Sequence, residues 1–405
     1  MPSFRSTRTA AKRLRPAGRV SAEAAVAATD AKLEVRAPGG VAASLLAAAM
    51  ALPMTPATRA ETPPERGVIA FKYLDYLDSQ PGAERIAVRA PSLLISAPVA
   101  GDWSIAGTYI SDAISGASPA YHTTALTRLR DKRTAGTFSV SRYFANGMLT
   151  VGGSVSTEKD YLSRALFVQA ALSGDDKNTT WNFGLAATRD VINPTNGIVE
   201  QERKRIADLV VGVTQVVTRR DIVQLTFGYS QGSGYFSDPY KALDNRPRER
   251  NHTTILARWN HHMEATDGIA RLSYRYYADT FAIRAHTLGA EYVQPLGQGW
   301  SVMPLVRLYT QKSARFYVDV DPAAGPFPTN PPPDATYYSL DQRLSSFGAV
   351  TLGLKVSKQI DADWLVDVKL EQYRQRGQWA LAGTGSPGLE PFNARSIQVG
   401  ISRQF

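Results

Sequence analysis

Cysteine is absent from all 405 residues. That excludes disulfide staples, thiolate metal centres, a cysteine nucleophile and a lipid anchor carried on a terminal thiol, and a thiol-free chain suits an oxidising compartment. Uninterrupted apolar runs of eighteen residues are also missing, so no membrane-spanning helix is predicted. If the chain crosses a bilayer, strands must do it. The phosphate-cradling GxxxxGK pattern does not occur, and no serine elbow or paired acids accompany the few histidines. No catalytic residue, cofactor or enzymatic activity is therefore expected. Of the five histidines, His122, His252, His261, His262 and His286, only His261 and His262 adjoin. Neighbours on a strand point to opposite faces, so those two are not expected to share a metal.

The first sixty residues differ from the rest. Arg5, Arg8, Lys12, Arg13, Arg15 and Arg19 precede the apolar run Val41–Leu52, which leads to Thr58-Arg59-Ala60 before Glu61. A basic segment, a short apolar run and a small-residue exit read as an export signal cleaved near Ala60. Residues 1–60 are expected to be this leader, and residues 61–405 one domain. The whole chain carries +10, but the leader holds nine Lys and Arg against three Asp and Glu, leaving 37 against 33, about +4, for the remainder. The basic balance belongs mostly to the leader. With Phe4 its only aromatic, it has no stacking platform for single strands, and no nucleic-acid partner is expected.

From Gly67 onward the chain alternates about ten residues of period-two patterning with a connection. Short connections at 98–102, 145–147, 173–178, 218–221, 264–268, 296–299 and 361–363 carry Gly, Asn or Asp, which supply hairpin backbone angles. Longer or more polar ones lie near 77–85, 112–134, 157–161, 190–206, 231–251, 279–283, 311–345 and 376–394. Sixteen strands are predicted: 68–76, 85–97, 103–112, 134–144, 148–157, 161–172, 179–190, 206–217, 222–230, 252–262, 269–279, 283–295, 300–310, 345–358, 364–375 and 395–405. Alternation of tight and long connections, an even strand number and an export signal together predict an all-β fold: a transmembrane antiparallel up-and-down β-barrel with short periplasmic turns and longer extracellular loops. The last strand fits: Ile397, Val399 and Ile401 share one face, and the chain stops on Phe405. A terminal aromatic of this kind resembles the signal that the barrel-assembly machinery of Gram-negative outer membranes reads.

Indole prefers the boundary between acyl chains and water. Trp103, Trp181, Trp300 and Trp364 begin strands after predicted short turns, and Trp259 approaches another. These five are expected to form an interfacial girdle against outer-membrane lipid. Opposite them in phase lie Ser104, Thr108, Asn182, Gly184 and Thr188, small and polar as a hydrated lumen requires. The same parity places Arg258, Arg271, Arg275, Arg307, Lys355 and Lys369 inward, with Glu291, Asp367 and Glu371 as inward acids. An inward basic ladder favours anions in a channel, whereas mixed charge that only braces the wall would not. The longest connection, 311–345, carries Asp319, Asp321 and Asp334 among its prolines. Folded into the lumen these would form a constriction; otherwise the segment is a stiffened external loop.

The runs GVIAFKYLDY (67–76), IVQLTFGYSQGSGYFSDPYK (222–241), RPRERNHTTILARWNHH (246–262) and SYRYYADTFAIRAHTLGAEYVQPL (273–296), with the ending ISRQF, resemble an uncharacterised family of Gram-negative outer-membrane barrels, a domain of unknown function of the DUF3570 type. The resemblance implies an outer-membrane setting and brings no substrate, cofactor or active site. Two readings follow: a porin-like channel for small solutes with a partly basic lumen, or a non-conducting structural or partner-binding barrel of an envelope assembly. A secreted soluble β protein is the third class, and it predicts two stacked sheets.

Overall fold

The computed structural model of the protein describes residues 63–119, 126–241, 243–319, 330–381 and 383–405. The expected leader, residues 1–60, lies outside them. Eighteen strands follow in order: β1 (Val68–Gln80), β2 (Ala83–Pro98), β3 (Trp103–Pro119), β4 (Leu126–Phe144), β5 (Gly147–Thr157), β6 (Tyr161–Ser173), β7 (Thr179–Ile192), β8 (Glu202–Val216), β9 (Asp221–Gly234), β10 (Asp244–Asn245), β11 (Glu249–Met263), β12 (Gly268–Asp279), β13 (Arg284–Gly297), β14 (Trp300–Gln311), β15 (Tyr338–Ser339), β16 (Phe347–Gln359), β17 (Trp364–Arg376) and β18 (Phe392–Gln404). β10 and β15 pair as a small external ribbon. The other sixteen form one closed barrel in which every strand pairs antiparallel with its barrel neighbours and β1 pairs with β18. The stacked-sheet alternative is thereby excluded.

Closure leaves no unpaired edge, the condition for strands to stand in hydrocarbon. At the seam Val68 faces Gln404, and the Gly67 and Phe405 backbones exchange hydrogen bonds of 2.8 and 2.9 Å. Arg66 donates to Asp363 at 2.6 Å, tying the seam to the adjacent turn. Side chains alternate as the period-two pattern demands. On β7, Trp181, Phe183 and Leu185 are exposed outward, whereas Ala186, Thr188 and Asp190 are buried inward. The outward apolar face continues around the wall, from Phe71 and Ile95 through Leu166, Leu225 and Leu272 to Leu352. The closing strand β18 completes it by turning Ile397, Val399 and Ile401 outward, beside Val368 and Leu370 of β17. No helix among the described residues is long and apolar enough to cross a membrane.

The two rims differ. One carries the tight connections 99–102, 145–146, 174–178, 217–220, 264–267, 298–299 and 360–363, and the other carries 193–201, 235–248, 312–346 and 377–391. The rim of long connections is the extracellular one. Two expectations for it are corrected. Residues 77–85 are not a loop: β1 and β2 meet in a tight turn at 81–82, where Gly82 has φ 79°. Residues 112–134 are largely strand, since β3 and β4 continue to Pro119 and from Leu126. In both cases polar residues continue the ladder above the apolar band, where alternation of apolar residues no longer marks a strand. The connection 158–160 between β5 and β6 lies where the predicted strand ends put it.

Candidate functional site

The interior wall is the candidate site, and its chemistry follows from strand parity. All nine charged residues expected to face inward lie on the face opposite the exposed apolar set. The barrel brings most of them together across β12, β13, β14, β16 and β17. Lys355 lies 3.4 Å from Asp367, Lys369 3.3 Å and Arg307 3.9 Å from Glu371, and Arg271 3.7 Å from Glu291. Arg275 donates to Thr287 at 3.0 Å and Arg258 to Gln224 at 3.5 Å. The ladder is therefore a braced network rather than a row of isolated cations.

Two glycines make its close approaches possible. A Cβ on Gly353 would stand 2.9 Å from both the Glu371 Cγ and the Leu305 Cγ, so its absence lets β17 and β14 side chains meet over β16. A Cβ on Gly400 would stand 2.7 Å from the Asp367 carboxylate. Further inward pairs were not anticipated: Arg133 with Asp112 at 2.5 Å, Lys204 with Asp190 at 3.1 Å and Arg250 with Asp279 at 2.7 Å. Their partners lie on neighbouring strands, so register is needed to find them.

The extracellular mouth is narrowed where the described parts of two connections, 312–319 with 330–346 and 377–381 with 383–391, pack onto inward residues of the wall. Ala314, Phe316 and Leu344 of 312–346 pack with Phe236, Phe281 and Ile283 onto the inward residues Tyr277, Ala285 and Tyr309. Leu389 of 377–391 packs onto Phe347, Ala349, Tyr309 and Tyr373. The two connections join where Ser346 and Ser386 exchange hydrogen bonds, the Ser346 N–H to the Ser386 Oγ and the Ser386 N–H to the Ser346 carbonyl, both 2.9 Å.

Beneath the external ribbon β10–β15 sits a buried ionic cluster. Arg246 donates to Asp341 at 2.7 Å and to Asp244 at 3.0 Å, and Arg343 donates to Asp238 at 2.8 Å and to Asp341. Asp341 is fully buried and also caps the short helical turn Gln342–Leu344. Burial pushes its carboxyl up, but Arg343, Lys241 and Arg246 outweigh that and hold it well below the usual carboxylate range. Of the expected constriction residues, Asp319 accepts from Tyr317 at 3.4 Å beside the infolded cluster, Asp334 is exposed, and Asp321 lies outside the described residues. Asp341, rather than these, is the acid on which the infolded connection is built.

At the opposite rim Trp103, Trp181, Trp259 and Trp300 are exposed outward and Trp364 is partly covered. Cations stack on three of them: Arg142 lies 5.3 Å from the Trp103 ring centre, Lys358 5.1 Å from Trp300 and Arg403 5.3 Å from Trp364. Trp259 donates to Asp221 at 2.9 Å, which His261 also contacts at 2.7 Å, while His262 contacts Asp267 at 2.8 Å. The adjacent histidines thus take different carboxylates. The string 383–388 spells GxGxxG, but it lies in the connection after β17 with no long helix behind it, so it lacks the strand–turn–helix setting of a dinucleotide site.

A closed sixteen-strand wall with an apolar outer face, a polar and ion-paired inner face and an aromatic rim defines an outer-membrane β-barrel. The chain belongs to the family described as Protein of unknown function (DUF3570), whose profile matches residues 123–202 and 195–396. Among solved structures it is similar to a bacterial polysaccharide outer membrane secretin, at 9% identity and TM-score 0.50 over 84% of this chain and 98% of that one. It is also similar to OccK2 (OpdF) of Pseudomonas aeruginosa in complex with glucuronate, at 10% identity and TM-score 0.43 over 84% and 98%. The siderophore receptor PirA of Pseudomonas aeruginosa matches at 7% identity and TM-score 0.45 over 85% and 81%. At these identities the likeness speaks for the fold alone. No curated protein sequence matches the chain.

Proposed function

We propose that the barrel is a channel for small solutes, with an anion-favouring wall and an outer mouth narrowed by 312–346 and 377–391. The observation that carries the reading is the inward ladder of the later strands, in which six cations, Arg258, Arg271, Arg275, Arg307, Lys355 and Lys369, stand with three acids, Glu291, Asp367 and Glu371, while Arg133, Lys204 and Arg250 elsewhere on the wall are each matched by an aspartate. Pairing lowers its field without cancelling it, and a net positive wall in a narrow passage raises the local anion concentration. A barrel of sixteen strands is wide enough to enclose water.

A second reading has its own support. Leu74, Tyr76, Ile86, Val88, Ala90 and Ala394 form an inward apolar cluster, with Tyr76 and Val88 fully closed to solvent, which a water-filled passage does not need. A non-conducting structural or partner-binding barrel would use such a filling. Planar-bilayer recordings separate the two. The channel reading expects current with a reversal potential on the anion side under a salt gradient, and a shift toward cations in Arg307→Gln/Lys355→Gln/Lys369→Gln. Folded protein that passes no current sinks it, and a cation-selective parent sinks the role given to the ladder.

A further inference from the structure

The outward face of β6, β7 and β8 carries a feature that a passage through the barrel does not use. Arg164 lies directly opposite Arg189, and Arg189 directly opposite Arg205, on three successive strands. All three are exposed on the apolar side of the wall, and Arg203 is exposed one outward position beyond Arg205. Among the described residues, none of these four side chains has an ion-pair or hydrogen-bond partner. Several other outward cations are matched: Arg89 has Asp75 at 3.5 Å, and Arg142, Lys358 and Arg403 lie over aromatic rings.

Like charges directly opposite on adjacent strands destabilise a sheet, so this row calls for an anion. Its height says which. On the same strands Leu166, Val168, Phe183, Leu185 and Leu209 are exposed toward the opposite rim, where Trp181 stands. From Trp181 to Arg189 the strand runs roughly 26 Å at about 3.3 Å per residue, or about 20 Å along the membrane normal at a tilt of about 40°. That is close to the height of the apolar band of such barrels, about 25 Å. The guanidinium groups therefore stand at the headgroup level of the external leaflet, and their stems lie along the apolar wall.

The geometry points to Arg164, Arg189 and Arg205, with Arg203, as a binding site for the phosphorylated headgroup of an outer-leaflet glycolipid. Adjacent strands are about 4.8 Å apart, so the row spans about 10 Å, and the planar fork of arginine matches phosphate oxygens two at a time. Acyl chains of the same lipid would lie on the leucine, valine and phenylalanine side chains below.

Native mass spectrometry of the folded full chain in detergent, titrated with lipid A carrying its phosphates, with dephosphorylated lipid A and with inorganic phosphate, tests this. The parent is expected to hold phosphorylated lipid A about tenfold or more tightly than either other probe. Arg164→Gln/Arg189→Gln/Arg205→Gln is expected to lose that advantage, and Arg374→Gln/Arg395→Gln, elsewhere on the outward face, to keep it. Folding is read by the heat-dependent gel mobility of closed barrels; if the triple variant does not fold, Arg189→Gln alone is expected to weaken phosphorylated lipid A binding about threefold or more. Equal binding of phosphorylated and dephosphorylated lipid A, inorganic phosphate held as tightly, or variants that bind like the parent would each overturn the assignment.

Discussion

Replacing Asp341 by alanine tests how the mouth is held. The carboxylate is fully buried between Arg246, itself buried, and Arg343. Removing one partner of a buried pair costs about 3–5 kcal/mol, because the remaining charge is left without compensation. Here Arg246 would retain Asp244 and Arg343 would retain Asp238, which places the effect toward the lower figure, about 3 kcal/mol. At about 1.4 kcal/mol per tenfold, the opened form of 312–346 should rise about a hundredfold. The barrel wall is untouched, since none of its ladder bonds involves Asp341. Hydrogen exchange over 312–346 and tryptic cleavage after Arg315 and Arg343 measure the opening, and gel mobility of unheated protein measures the wall. A change below about fivefold in opening, or loss of the folded wall, would refute the reasoning. The pH dependence has a definite sign. A carboxyl held below its ordinary value contributes stability above the unfolded pKa, about 3.9, and loses it only as pH falls through the lower folded value. The loop should therefore stay protected from about pH 7 down to at least about pH 4.

Leu185, 59% exposed in the middle of the outward face of β7, should cost about 2–4 kcal/mol as Leu185→Arg, whereas Ser273→Asp on the inward face should stay within about 0.5 kcal/mol; urea unfolding in vesicles compares them. Two glycines at the turn between β13 and β14 should separate. Gly299 has φ 78° and a Cβ there would meet the Gln359 carbonyl at 2.3 Å, while Gly297 has φ 82° with open space around it. Gly299→Ala should therefore lower the urea midpoint distinctly more than Gly297→Ala, whose cost is confined to the backbone angle, about 1 kcal/mol; equal midpoints would contradict the steric argument.

The wall was legible in the sequence because each strand carries its own period-two record. Phe183 and Leu185 against Asn182 and Gly184, or Leu272 and Tyr274 against Ser273 and Arg275, fix the two faces of a strand before any pairing is known. Tryptophans beside glycine- or aspartate-bearing turns likewise marked the rim. The ion pairs were less legible. Lys355 and Asp367 belong to different strands, and only the observed register, with Ser357 opposite Asp367, sets them on a diagonal. The mouth was least legible. Asp238 and Arg343 are 105 residues apart, in segments without periodic patterning, and nothing local distinguishes Asp341 from Asp319 or Asp334. Strand ends above the lipid were also hidden, since β3 and β4 continue there on polar residues.

Contact between the outward side chains and acyl chains can be measured directly. Because the chain contains no cysteine, single cysteines at Arg271, Leu272, Ser273 and Tyr274 on β12 can be spin-labelled one at a time in reconstituted protein without a background. Collisions with oxygen, which concentrates in hydrocarbon, should be high at 272 and 274 and low at 271 and 273, with a water-soluble nickel chelate showing the reverse. Uniform accessibility along the four positions, or nickel contact at 272 and 274, would contradict a barrel standing in lipid.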